Sequence, residues 1–391
     1  MNYRKYILEK LEKTLPAFEN KKREELLEWK AYSHKEQKKI VVFGAGEMGG
    51  KCCGYLQSLG IAIDWICDND KERQGDFKTE KQNEIPVLPV ESLMQENVEI
   101  LCFMAVGHQH FESIQNQIKK YAISKTVFIW HLDFYLEAMM LIGELGSIGV
   151  LDKVNQLLEK FSDEESLKIL LCHFEKIFDL DVEEPYKLEF KDVCIRPQYF
   201  LDGGKYLQAD ECMIDCGAFT GDTLDDLIHV VGFSDFSSYY CYELDDTNYE
   251  ILKENIKKLP DEIKNKIHLN HCAVGTKTEK ISYVPNGMAS RRSENGKNVA
   301  ENVALDEQFE EERVTFIKMD IEGSEQVALQ GAKKLIIRDK PMCAICSYHN
   351  VKDLFEIPNM LKEYVPEYQM ILRHHTDVWC DTVCYAKLGE W

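Results

Sequence analysis

The sequence predicts an α/β protein with two open, mainly parallel β-sheets joined by a helical connector. Two short apolar runs, residues 39–43 and 212–215, are each followed by a glycine-containing turn and a helical pattern. Strand, glycine turn and helix in this order make up the βαβ unit of a parallel sheet. From about residue 131 to 205, leucine and phenylalanine recur at helical spacing without such a turn. The length of 391 residues is enough for two or three domains.

Composition and charge exclude several classes of protein. The chain has 47 basic and 68 acidic residues, a net charge of −21, so we expect no nucleic-acid partner. No apolar run approaches the roughly 18 residues of a membrane span, and no signal pattern opens the sequence. We therefore expect a cytoplasmic protein with reduced cysteines; no pattern indicates its oligomeric state. Cys343 and Cys346 lie in an apparent strand, so their sulfurs point to opposite faces and do not share a zinc ion.

The order of domains follows from the same patterns. Apolar residues in the first forty positions have helical spacing, and we expect Pro16 to break that helix. The sequence is therefore divided into a helical arm, a small Rossmann-like domain, a helical connector and a second α/β domain, at residues 1–38, 39–130, 131–205 and 206–391.

The first glycine-rich turn contains Gly44, Gly46 and Gly49 in a G-x-G-x-x-G pattern, and Asp68 ends the next strand. Between a strand and a helix, this pattern indicates a nucleotide or nucleotide-sugar site. A purely structural role is an equal alternative. A single βαβ unit and a short continuation precede residue 131, which is little for an NAD(P)-dependent oxidoreductase. That activity and a non-catalytic scaffold are the alternative functions.

The second glycine-containing turn follows Asp215, which ends a buried strand. An acid beside this turn is unfavourable for a pyrophosphate but suits a cationic ligand, which points to S-adenosylmethionine (SAM). Glu243 ends the next strand, where a carboxylate can accept hydrogen bonds from both ribose hydroxyls. The residues predicted to bind the cofactor are Asp215, Gly217, Ala218, Gly221, Asp222, Thr223, Glu243, Ala273 and Val274.

Two further strand ends carry candidate catalytic groups. Asp320 and Glu322 are one residue apart, so both can face the crevice as general base, acceptor of substrate hydrogen bonds or metal ligand. Capping of the next helix is the alternative, and we prefer it for Glu325. His349 can take a proton near neutral pH, or it is a core histidine. We predict Asp320, Glu322 and His349 as catalytic residues and assign no metal site.

Two pairs of residues are less specific. If the segment containing His374 and His375 is a strand, the two rings point to opposite faces, and one of them can reach the site. Arg291 and Arg292 lie in a stretch rich in glycine and serine. They can bind an anionic substrate, or the loop is simply solvated.

Short strings in both halves of the chain match known families. They are IDCGAFTGDT, YELD with Asn248 and Tyr249, AVG, LD, FIKMDIEGSE, YH and LRHH in residues 206–388, and CDND and IPVL in the N-terminal part. On these strings, residues 206–388 resemble an FkbM-type SAM-dependent methyltransferase. The resemblance implies a class I methyltransferase fold and in-line O-methylation of a small-molecule or glycan acceptor, most often a sugar, with an acidic or histidine base. The N-terminal part resembles small nucleotide-binding-like domains fused to sugar-modifying enzymes.

Overall fold

The computed structural model describes residues 1–33, 35–78, 84–94, 98–106, 108–121, 123, 125–128, 132–232, 236–284, 291–292 and 298–391. These residues form two compact units. The N-terminal unit contains Leu11–Val150 and Ile177–Asp179, and the C-terminal unit contains Met1–Lys10, Leu151–Lys176 and Leu180–Trp391. The units therefore cut across the segments expected as an arm and a connector.

The chain up to residue 158 alternates between helices and strands, with two short 3-10 turns. The elements are α1 (Tyr3–Tyr32), β1 (Lys38–Phe43), α2 (Glu47–Ser58), β2 (Trp65–Cys67), β3 (Gly75–Lys78), β4 (Glu84–Leu88), β5 (Glu99–Met104), α3 (His108–Ile118), β6 (Lys125–Phe128) and α4 (Leu132–Leu158).

The strands of the N-terminal unit form a six-stranded sheet in the order β3-β4-β2-β1-β5-β6, with β3 antiparallel and the others parallel. Two expectations about local structure are wrong. Strand β2, the strand expected to end at Asp68, covers Trp65–Cys67 and not the whole mainly apolar segment 61–67, and helix α1 continues through Pro16. A proline inside a helix removes one backbone hydrogen bond, but Leu11, Leu15 and Phe18 on either side are buried and hold the helix in place.

The remainder of the chain alternates in the same way. Its elements are α5 (Glu164–Phe178), α6 (Phe190–Val193), α7 (Leu201–Gly204), β7 (Glu211–Cys216), α8 (Asp222–Val231), β8 (Phe236–Glu243), α9 (Asp246–Lys257), α10 (Asp261–Lys264), β9 (Ile267–His271), β10 (Ala273–Val274), β11 (Glu279–Val284), β12 (Arg291–Arg292), β13 (Asn298–Val303), α11 (Leu305–Gln308), β14 (Phe316–Met319), α12 (Glu325–Gln330), α13 (Lys333–Asp339), β15 (Met342–Cys346), α14 (Val351–Tyr364), β16 (Gln369–His374) and β17 (Thr382–Lys387).

The C-terminal unit is built on a seven-stranded sheet in the order β16-β17-β15-β14-β7-β8-β9. Strand β17 is antiparallel to both of its neighbours, whereas the five strands from β15 to β9 are parallel. The carboxyl ends of these five strands therefore meet at one edge, where ligands of open α/β sheets bind. The expected α/β fold class is confirmed.

A four-stranded sheet in the order β10-β13-β11-β12 lies between β9 and β14 along the chain. Within it, β12 pairs with β11, with Arg292 opposite Tyr283. The backbone of the predicted anion-binding arginines is thus in a short strand, while their side chains lie outside the described part of the structure.

All fourteen cysteines are free thiols, and all except Cys194 and Cys380 are buried. Strand β15 contains Cys343 and Cys346, as expected for that apolar run. Among the described residues, no helix is both long enough and apolar enough to span a membrane.

Candidate active site

The turn after β7 is shaped by one glycine. Gly217 has φ +80°, and a Cβ atom at this position would lie 1.9 Å from the carbonyl oxygen of Asp320. A side chain is therefore excluded both by the backbone conformation and by the lack of space. The close approach brings the turn after β7 against the end of β14, so two predicted site segments are in direct contact.

Asp215 is fully buried beneath this turn instead of lining the crevice. Its carboxylate forms an ion pair with the ammonium group of Lys318 (Nζ–Oδ1 2.9 Å) and accepts a hydrogen bond from the hydroxyl of Tyr239 (2.6 Å). Lys318 also donates to the Gly217 carbonyl oxygen (2.6 Å). Burial alone would lower the pKa of Lys318, but the carboxylates of Asp215 and Asp320 raise it above its usual value. This buried ion pair therefore stabilises the turn through the contact of Lys318 with the Gly217 carbonyl oxygen.

Glu243 lies at the end of β8 beside the turn. One carboxylate oxygen accepts a hydrogen bond from the Phe219 backbone N–H (2.9 Å), and the other accepts one from Asp245 N–H (2.7 Å). Burial raises the pKa of Glu243. These bonds fix the side chain, and each oxygen keeps a second lone pair that can accept a hydrogen bond.

Asp320 follows β14 and is partly buried. Its carboxylate accepts a hydrogen bond from the Tyr199 hydroxyl (2.8 Å), and the Tyr348 hydroxyl lies 3.4 Å away. Burial raises the pKa of Asp320, but the charges of Lys318 and His349 lower it further, so the net shift is downward. The carboxylate is thus ionised and held by groups from two other segments, those of Tyr199 and of Tyr348 and His349.

Three carboxylates surround the imidazole of His349. Its Nδ1 is 3.0 Å from Glu325 Oε1, and its Nε2 is 3.5 Å from Asp320 Oδ1 and 3.6 Å from Glu322 Oε2. Burial lowers the pKa of this histidine, but the charge of Glu325, followed by those of Asp320 and Glu322, raises it to about 10. With protein groups alone around it, the ring is cationic at neutral pH.

A cavity of about 700 Å³ lies at the carboxyl edge of the seven-stranded sheet, beside these groups. Eight of the predicted site residues line it, while Asp215, Ala218, Gly221 and His349 lie behind the lining. The lining residues among the predictions are Gly217, Asp222, Thr223, Glu243, Ala273, Val274, Asp320 and Glu322.

Several lining residues were missed by reasoning from the sequence. Tyr199 comes from the segment expected to be a connector, and nothing local in the sequence connects it with Asp320. Lys318 stands inside the FIKMDIEGSE string, and a lysine in an otherwise apolar strand is a signal that could have been read. Asn248 and Asp381 also line the cavity.

His374 and His375 are core histidines. His374 contacts the Thr382 hydroxyl (2.8 Å) and the Val378 carbonyl oxygen (2.7 Å). His375 contacts the Ile195 carbonyl oxygen and the Tyr385 hydroxyl, both at 2.9 Å. Each ring is thus satisfied within the fold, and neither lines the cavity.

The N-terminal glycine turn has a local structural role. A Cβ atom on Gly49 would lie 1.8 Å from the Gly44 carbonyl oxygen, so close packing of α2 on the turn requires this glycine. The carboxylate of Asp68 accepts hydrogen bonds from the backbone N–H groups of Ala45 (2.7 Å) and Asp70 (2.8 Å). The expected nucleotide site at Gly44, Gly46, Gly49 and Asp68 stays a prediction.

Comparison with known proteins points to methyl transfer. Residues 215–376 match the family model of the methyltransferase FkbM domain, and residues 12–132 match that of a C-methyltransferase C-terminal domain. The solved structure of a methyltransferase FkbM from Methylobacillus flagellatus KT is 22% identical, with 90% of each chain covered and a TM-score of 0.56. It shares the fold. The match at residues 215–376 confirms the expected FkbM resemblance.

Two other solved structures are more distant. A putative rRNA methylase from Clostridium thermocellum is 10% identical and covers 50% of this chain and 99% of its own, with a TM-score of 0.33. A putative tRNA (m1A22) methyltransferase from Streptococcus pneumoniae is 11% identical and covers 50% and 72%, with a TM-score of 0.31. The curated proteins give no significant match.

Proposed function

We propose that this methyltransferase, whose FkbM domain lies at residues 215–376, transfers the methyl group of SAM to a hydroxyl of a sugar or related small molecule. The acceptor oxygen attacks the methyl carbon, the carbon–sulfur bond breaks, and its electron pair stays on sulfur. The hydroxyl proton passes to a carboxylate, so the products are a methyl ether and S-adenosylhomocysteine.

The charge of the cavity lining carries this proposal. Five carboxylates line the cavity, against the single lysine ammonium group among the described lining residues, that of Lys318. A sulfonium donor is cationic, so such a lining favours it over an anionic nucleotide. The five carboxylates are those of Asp222, Glu243, Asp320, Glu322 and Asp381.

The order of the strands separates a donor end from an acceptor end. Glu243 ends β8, and Ala273 and Val274 follow β9, so these residues lie to one side of β7. The remaining acceptor lone pairs of Glu243 suit ribose hydroxyls, and the apolar groups suit an adenine ring. SAM therefore binds with its adenosine over β8 and β9 and its sulfonium near the turn after β7.

The acceptor lies on the other side of β7. Asp320 follows β14, the neighbour of β7 on that side, and shares the cavity with Glu322 and Tyr199. Two carboxylates can orient a hydroxyl toward the sulfonium, and one of them takes its proton. Methyl transfer is an in-line displacement, so this alignment supplies most of the catalysis.

Calorimetric titration of the full chain with SAM tests the donor site. We expect saturable binding that Glu243→Gln weakens about tenfold, the size of one lost charge-assisted hydrogen bond. Glu250→Gln, an exposed substitution on α9 with the same chemical change, serves as the matched control. Equal affinities in all three proteins contradict the assignment of Glu243, and absence of binding contradicts SAM as donor.

A transfer assay with methyl-labelled SAM tests the acceptor class. Nucleotide sugars, free sugars and glycan extracts are offered in parallel, and the labelled product is analysed for the atom that carries the methyl group. A labelled ether oxygen supports the proposal, whereas label on nitrogen or carbon overturns O-methylation while leaving methyl transfer intact.

A further inference from the structure

The imidazole of His349 has an unusual environment for a buried ring. Its side chain is 9% exposed, yet neither ring nitrogen makes a hydrogen bond. Glu325 Oε1 lies 3.0 Å from Nδ1 as an ion pair, without the geometry of a hydrogen bond. Buried polar atoms are nearly always paired, so two unpaired nitrogens in one ring require a physical explanation.

Glu325 has a second unpaired atom at the same place. It is fully buried, and its Oε1 accepts a hydrogen bond from the Ile321 backbone N–H (2.8 Å). Its Oε2 is buried without a hydrogen-bond partner. A buried carboxylate oxygen and the lone-pair nitrogen of a neutral imidazole are both electron-pair donors, so a metal cation that displaces the ring proton satisfies both.

The distances suit a single ion. One donor atom each from Asp320, Glu325 and His349 lies within 4.8 Å of the other two. Ligand bonds of about 2.0–2.2 Å to one metal place neighbouring donor atoms about 3–4 Å apart. Small side-chain movements are therefore enough to bring all three donors onto one ion.

Charge balance favours a divalent ion. Four carboxylates lie in this region. Asp320, Glu322 and Glu325 surround His349, and Asp215 is paired with Lys318, which supplies one ammonium group. Four negative charges less one positive charge leave three, before the imidazole is counted. Concentrated buried negative charge is costly unless it is paired or bound to metal.

We propose that Asp320, Glu325 and His349 bind a divalent transition-metal ion at the acceptor end of the cavity. Mixed imidazole and carboxylate donors suit ions such as Mn²⁺ or Zn²⁺. Glu322, whose carboxylate is 3.6 Å from His349 Nε2, stands beside the ion on the cavity lining. The hydrogen bond from Ile321 N–H is compatible with this role, because it uses Oε1 of Glu325 and leaves Oε2 for the ion.

The role of the ion rests on the proposed function, whereas its binding does not. When bound, a divalent ion polarises an acceptor hydroxyl and makes it easier to deprotonate. Asp320 lines the cavity, so a ligand oxygen placed there is within reach of both the ion and the carboxylates. The site would then select acceptors with two neighbouring oxygens, which can bind an ion as a pair.

Titration of the metal-free full chain with Mn²⁺, followed by electron paramagnetic resonance of free Mn²⁺, tests the proposal. We expect one site per chain, and we expect His349→Ala to weaken binding by about tenfold or more. Because Glu325 is fully buried, Glu325→Gln is accompanied by circular dichroism, and Asp320→Asn supplies a more exposed second variant. His229→Ala, on the exposed surface of α8, is the control and keeps the parent affinity.

The outcomes separate this proposal from the proposed function. A dissociation constant weaker than about 1 mM for both Mn²⁺ and Zn²⁺ overturns the metal site, whatever the SAM titration shows. Binding that all three ligand variants leave unchanged overturns it as well. Metal binding without SAM binding overturns the proposed donor instead, and the metal site stands.

Discussion

The glycine-containing turns of the N-terminal and C-terminal units both follow a buried strand and precede a helix, but the acidic residues beside them have different partners. In the N-terminal unit, Asp68 uses its carboxylate on the backbone N–H groups of Ala45 and Asp70. In the C-terminal unit, Asp215 is tied to the Lys318 ammonium group beneath the turn, and the acid that reaches the cavity is Glu243 from the next strand.

The difference teaches that a glycine turn after a strand identifies an architecture and not a site. Glycines in both turns are needed where another backbone segment comes within 2 Å of a would-be Cβ atom. The C-terminal turn differs because neighbouring strand ends add carboxylates around a common cavity. Function therefore depends on what the adjacent strands contribute.

The largest expected effect separates the two acids of β14 and β8. Asp320→Asn should lower the methyl-transfer rate about 10²–10⁴-fold, the range for loss of a general base, while SAM affinity stays near that of the parent. The measurement is kcat with the best acceptor from the screen, together with SAM calorimetry. Asp261→Asn, highly exposed on α10, is the control. An unchanged rate removes Asp320 from the chemistry.

The next largest effect is the loss of stability on breaking the buried ion pair between Asp215 and Lys318 beneath the C-terminal turn. Lys318→Met leaves Asp215 buried without its counter-charge, and we expect a loss of about 3–5 kcal/mol in the free energy of unfolding. Urea unfolding followed by circular dichroism gives the value. The double variant Lys318→Met/Asp215→Asn should recover part of the loss, since it removes the unpaired charge. Equal losses of unfolding free energy in the single and double variants contradict a stabilising role of the ion pair.

A paired glycine substitution tests the comparison directly. Gly217→Ala and Gly49→Ala each drive a Cβ atom into a backbone carbonyl, so each should cost about 1–3 kcal/mol of stability. SAM affinity should fall in Gly217→Ala and stay at the parent value in Gly49→Ala. Calorimetry on both folded variants decides the matter, and a matching fall in both proteins breaks the comparison.

The smallest expected effect is that three buried histidines of the C-terminal unit do not titrate near neutral pH. Burial lowers the pKa of His173 to about 3 and those of His374 and His375 to about 4. Their ring resonances should stay unchanged in NMR spectra from about pH 7 to about pH 5. The unfolded chain takes up these protons below pH 6.5, so these groups make stability fall as the pH drops from about 6.5 toward 4. A shift of any of the three rings contradicts their burial as neutral groups.

The sequence was sufficient to place the strand ends. Runs of apolar residues ending in Glu243 and Asp320 are recognisable because a charged residue interrupts the apolar pattern where the strand ends. The partners of those acids were not predictable in the same way. Tyr199 meets Asp320 across 121 residues, and the pairing depends on how the whole unit packs. Similarly, the local sequence predicts Asp215 as a cofactor ligand, because the lysine that neutralises it, Lys318, lies 103 positions later.

Helix and strand bounds show the same division between local and long-range causes. The segment 61–67 is apolar except for Asp64, yet only Trp65–Cys67 pairs with β1. Helix α1 passes through Pro16 because buried neighbours outweigh one lost hydrogen bond. Local propensity predicts that a helix or strand forms, and burial against the rest of the fold determines at which residue it ends.

The buried cysteine thiols can be used to measure local opening of the protein. Cys53 and Cys172 are both buried, and burial raises the pKa of each to about 12, so both thiols are shielded and protonated. A thiol-directed reagent can modify them after the surrounding structure opens. The rate at which each position is labelled then reports the opening of its own neighbourhood. Cys53 reports on the N-terminal unit and Cys172 on the C-terminal unit, without any engineered probe.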